Sequence, residues 1–173
     1  MRSAPAVCRK RGLFLAFAGF QFVKSVRSRH PGYHRWMGRI LVSTGMVVGA
    51  TGLFIGLVIP FNGWIERVYI SIFGTLFLVA LAKGFLHIRA GRVALHREWM
   101  IRAFAVALAI ATMRVIFLPA VALVGDPTDE QSTVLSASSF IEAFVLHASL
   151  AEVWIRLTRR SRIAPKTRAP KAA

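Results

Sequence analysis

The chain has 173 residues, 55% hydrophobic and only 17% charged, yet 23 Lys and Arg against 7 Asp and Glu give a formal net charge of +16. The hydrophobic content excludes a disordered chain, and the single Cys8 excludes a disulfide scaffold. Few charges with a strong basic bias fit a membrane protein whose charges stand in its loops and tails.

In chain order, Arg9, Lys10 and Arg11 come first, then an apolar piece at 13–23, then Lys24. That piece is too short to span a bilayer, and no small-residue cleavage pattern follows it. Residues 1–23 therefore read as a basic N-terminus with a short interfacial helix, a true fifth span being the other reading. Four later stretches have the roughly 20 apolar residues a spanning helix needs: 40–60, 68–87, 103–125 and 134–155. None alternates with period two, so the expected fold is all-α. It is an antiparallel four-helix transmembrane bundle over 24–157, followed by a disordered basic tail over 158–173.

The charges set an orientation. Residues 24–39 carry Lys24, Arg27, Arg29, Arg35 and Arg39 without an acid. Residues 83–102 carry five basic residues against Glu98, and the chain from Arg156 onward carries seven with no acid. The two remaining loops are neutral or acidic, with Asp126, Asp129 and Glu130 in the second. Basic and non-basic loops alternate, and the positive-inside bias places both termini in the cytoplasm of a bacterial inner membrane. Trp36, Trp99 and Trp154 fall at inner helix ends and Trp64 at an outer one, as in an aromatic belt. Charges this close to spans act as topological anchors and point to lipid headgroups, not to nucleic acid.

Two basic loops share a string. The first reads His34-Arg35-Trp36-Met37-Gly38-Arg39, the second His96-Arg97-Glu98-Trp99-Met100-Ile101-Arg102. Each opens a helical hairpin, so the chain reads as two pseudo-repeated hairpins related by an axis along the membrane normal. Arg35, Arg39, Arg97 and Arg102 are candidate contacts for anionic lipid headgroups, with the Trp residues at the interface. His34 and His96, with His87, form a candidate inner-face set for one haem b or an anion, although no metal motif is present.

These strings, with Thr112-Met113-Arg114, Gln21-Phe22 and Ala151-Glu152-Val153-Trp154-Ile155-Arg156, resemble the bacterial family called domain of unknown function 2306. The resemblance covers residues 19–157, and its His-Arg-Glu-Trp-Met-Ile-Arg string is its most specific part. It implies a predicted membrane protein and supplies no reaction. The chain departs from the family pattern at its start, where the 13–23 segment replaces a full apolar helix.

Charges inside spans normally face protein and find partners. Arg114 stands twelve residues from Arg102, roughly 18 Å along a helix, and Glu142 fourteen before Arg156, roughly 21 Å. Matching depth predicts a buried Arg114–Glu142 pair on a face shared with Ala103, Ala107 and Ala111. Lys83 and Glu152 are a second candidate buried pair. Gly45, Gly49, Gly52 and Gly56 share one face of the first span, which suits close packing within the chain or a homodimer. His147 has no His at its depth, so a mid-membrane haem is not expected.

No phosphate loop and no nucleophile–base arrangement is legible, so the reading leans away from an enzyme. Three functions stand: a non-enzymatic binding or scaffold module with His-Arg-Trp loops at its cytoplasmic face, a small haem b electron-transfer protein, or a small transporter using Arg114 and Glu142. Pro119, five residues past Arg114, is where a transporter helix would break.

Overall fold

The computed structural model describes residues 29–59 and 63–163. The helix expected at 13–23 and the end of the basic tail lie outside the described residues. Four helices follow one another: α1 (Pro31–Val58), α2 (Gly63–Arg89), α3 (Val93–Val124) and α4 (Asp129–Ile163). Among the described residues there is no strand. All four helices are long and apolar enough to cross a membrane.

Each helix is longer than its apolar stretch. The range is 27 to 35 residues, roughly 40 to 52 Å, against a hydrocarbon core of about 30 Å. The basic strings read as loops are therefore helical turns. Pro31, at the first helical position where its missing N–H costs nothing, starts α1 well before residue 40. Helix α3 runs through Pro119 to Val124 without a break. Residues 158–163, expected in a disordered tail, are helical, because α4 continues to Ile163. Thr158 and Arg159 bond to α3, which holds that last stretch in helix.

The connections carry their own signals. Between α2 and α3, Gly91 takes φ +70, which only glycine adopts at little cost. The Arg92 N–H donates to the His87 carbonyl at 2.9 Å and the Gly91 N–H to that of Ile88 at 3.1 Å, a Schellman cap. At the start of α4, the Gln131 N–H donates to Thr128 Oγ1 at 3.3 Å while the Thr128 N–H donates to Gln131 Oε1 at 3.0 Å. This capping box, with Asp129 and Glu130 in the first turn, satisfies orphan donors and suits the helix dipole.

Packing follows chain order. Helix α3 lies along α2 and α4, α1 lies along α2, and α2 barely meets α4. One core cluster joins α2, α3 and α4: Tyr69, Phe140 and Phe144 gather around Ala109 and Ala143, both fully buried. The rings of Phe73 and Phe144 lie 4.0 Å apart and those of Phe140 and Phe144 4.4 Å. The two alanines let the α3 and α4 backbones approach, and the aromatics fill the space beside them. Toward the other end, Ala80, Leu81 and Ala103 form a second cluster with Val42, Phe77, Trp99 and Met100.

Helix α1 packs mainly on α2. A Cβ on Gly45 would stand 3.0 Å from Leu81 Cδ1, one on Gly49 2.8 Å from Leu78 Cδ2, and one on Gly56 2.5 Å from Ile70 Cδ1. Three of the four glycines of the proposed dimer face are thus already filled by α2, and only Gly52 has open space beside it. The descending order of partners, 81, 78 and 70, shows that α1 and α2 run antiparallel. The outward faces are apolar: Val115 is 71% exposed and Leu123 89%.

Candidate functional site

The polar chemistry concentrates where α2 ends, α3 begins and α4 ends; we call this the basic end. Gly84 starts the assembly. A Cβ there would come within 2.8 Å of Met100 Sδ, so glycine lets α3 cross close to α2. With no side chain in the way, His96 Nδ1 donates to the Gly84 carbonyl at 2.7 Å. That oxygen has a second lone pair for the contact.

The rest of the second string grips α4. The Arg102 Nε donates to Glu152 Oε1 at 2.5 Å and its Nη2 to Oε2 at 3.2 Å, a bidentate pair. Arg159 makes the same kind of pair with Glu98, its Nε donating to Oε1 at 2.7 Å. Glu98 is buried, its side chain 8% exposed. Arg97 Nη1 donates to Thr158 Oγ1 at 3.1 Å. Trp99 sits between two cations, with Lys83 Nζ 4.5 Å and Arg102 Cζ 4.8 Å from its ring centroid.

Several expected partners change. Arg97 and Arg102, expected at lipid headgroups, bond to Thr158 and Glu152 of α4. Lys83 does not pair with Glu152: it is exposed and lies on Trp99. The reason is layout, since α4 runs beside α3 and hardly touches α2.

Arg114 and Glu142 are not joined by an ion pair among the described residues. Both are exposed on their helices, and Arg114 Nη1 donates to the carbonyl of Ile110 in its own helix at 2.8 Å. Their depth agrees, because the contacts 102–152 and 112–147 put 114 level with about 142 in this antiparallel register. Their faces do not. The buried alanines of α3 are Ala103, Ala105 and Ala109, while Ala107 and Ala111 are half-buried. Arg114 is five residues past Ala109, roughly 140° around the helix. The polar link at that depth is instead His147, whose Nδ1 donates to the Ala143 carbonyl at 2.8 Å and whose Nε2 lies 3.4 Å from Thr112 Oγ1.

The first string is placed differently. On α1, Arg35 and Arg39 are exposed, and Trp36 is 61% exposed. His34 and, on α2, His87 are half-buried. Among the described residues no three His, Cys, Asp or Glu side chains converge in a way that would hold a metal ion. A cavity opens between α1 and α2, lined by Arg39, Val42, Ser43, Met46 and Phe85.

A family model described as "Predicted membrane protein (DUF2306)" matches residues 10–155. The chain belongs to this family. The match contains both strings, the first three candidate spans and the fourth as far as residue 155. The DUF2306 chain described here is thus a membrane protein with four candidate spans. Neither a curated protein nor a solved structure matches it.

Proposed function

We propose that this DUF2306 protein is a non-enzymatic membrane module that holds anionic lipid headgroups through Arg35 and Arg39 of α1. One observation carries this. The two strings have the same cations, but those of the second bond to α4, whereas Arg35 and Arg39 are exposed and make no hydrogen bond or ion pair among the described residues. A guanidinium at the membrane surface is attracted to anionic lipid by about 1 kcal/mol. The basic bias of that end supports a cytoplasmic position for both termini in a bacterial inner membrane. The four-helix arrangement, with its engaged second string, supports a binding or scaffold role.

The test is lipid preference of the purified full chain. Native mass spectrometry in mixed phosphatidylglycerol and phosphatidylcholine is expected to show enrichment of the anionic lipid. Arg35→Gln with Arg39→Gln should abolish most of that enrichment. An unchanged preference in the double variant would defeat the proposal.

A further inference from the structure

The geometry points to a seat for one anionic phospholipid in the cavity between α1 and α2, its phosphate on Arg39 and one acyl chain along Val42, Met46 and Phe85. This rests on the headgroup reading of the α1 arginines and adds a defined site to it. The cavity measures about 370 Å³, within the roughly 300–1,000 Å³ of small-molecule sites.

Its lining is graded as a lipid is. Arg39, Val42, Ser43 and Met46 are spaced i, i+3, i+4, i+7 and so form one strip of α1, roughly 10 Å long. The cation stands nearest the basic end, the hydroxyl one turn further in, and the thioether deepest. Phe85 of α2 is the opposite wall. The Arg89 guanidinium lies 5.9 Å from the Phe85 ring centroid, so a second cation borders the same end from α2. Among the described residues no acid lines the cavity.

The helix packing explains why a groove exists here. The glycine contacts draw α1 onto α2 from Gly56 to Gly45. Beyond Gly45, toward the basic end, α1 presents Val42 and Arg39, which line the groove together with Ser43 and Met46. Among the described residues α1 lies mainly along α2, so the groove opens sideways, the direction from which a lipid enters. An acidic peptide would satisfy the arginines, but its backbone would find no polar partners along Val42, Met46 and Phe85. A phospholipid satisfies both ends.

The experiment uses the full chain in detergent with added phosphatidylglycerol, read by native mass spectrometry, with thermal unfolding as the folding control. One tightly held phosphatidylglycerol per chain is expected to survive collisional activation that strips the other lipids. Ser43→Trp and, separately, Met46→Trp fill the groove from positions already exposed. Each should remove the retained lipid while leaving the general preference for anionic lipid. Arg39→Gln should weaken retention about fivefold and Arg39→Lys less. If both folded Trp variants still retain the lipid, the seat is refuted while the headgroup reading stands. If the double Arg35/Arg39 variant keeps its anionic preference, the headgroup reading falls and takes the seat with it. Equal retention of phosphatidylcholine would overturn the anionic part.

Discussion

The two copies of the His-Arg-Trp-Met-Arg string meet different neighbours. The second, on α3, lies between α2 and α4 and touches both: His96 reaches the Gly84 carbonyl, Arg97 reaches Thr158, and Arg102 reaches Glu152. The first, on α1, lies mainly along α2 among the described residues, and Arg35, Trp36 and Arg39 are exposed. The inserted Glu98 marks the difference, since it is the residue that takes Arg159 from α4. The same residue types thus form a clasp where two helices flank them and an exposed surface where α1 lies mainly along one. A side chain's role here is set by what surrounds it.

The comparison can be broken most severely at the α1–α2 contact. Gly56→Leu would drive branched carbons into Ile70, and destabilisation of about 3 kcal/mol is expected from thermal unfolding in detergent. The α3 clasp should outlast the loss of α1, so the Arg102–Glu152 coupling should persist in a Gly56→Leu background. Next in size is Arg102→Ala. It removes two hydrogen bonds to Glu152 and a cation from Trp99, at a cost of about 1–2 kcal/mol once screening at a half-exposed site is allowed for. A double-mutant cycle with Glu152→Gln should be non-additive, and additivity would show that the pair is passive. Thr112→Val should cost about 0.6 kcal/mol, the usual scale of a hydrogen bond between membrane helices. Smallest are Arg35→Gln and Arg39→Gln, expected to leave stability within about 0.5 kcal/mol while lowering anionic-lipid retention. A stability loss from Arg39→Gln as large as that from Arg102→Ala would erase the contrast between the strings.

Depth along a helix was legible in the sequence, and rotation about the helix was not. Counting residues puts Arg114 level with Glu142, and the register of α3 on α4 agrees. Yet the side chains leave their helices on faces the count does not distinguish, because every exposed surface in a bilayer is apolar and the alanine pattern on α3 supports more than one face. The buried face runs through Ala105 and Ala109, and it brings Thr112 to His147 instead. The capping box at Thr128 and Gln131 was written in the chain as a hydroxyl and an amide three residues apart, and needed only local geometry. The Glu98–Arg159 and Arg102–Glu152 pairs had no such signal: they span roughly fifty to sixty residues and depend on which helix lies beside α3.

The sequence by itself determined four helices long and apolar enough to cross a membrane, and where the charges stand along them. Length, hydrophobicity and charge position are properties of each segment alone, and a bilayer selects on them segment by segment. Only the tertiary structure decided which of those charges are engaged. That choice depends on the neighbour each helix face meets, with α3 set between α2 and α4 and α1 lying mainly along α2 among the described residues.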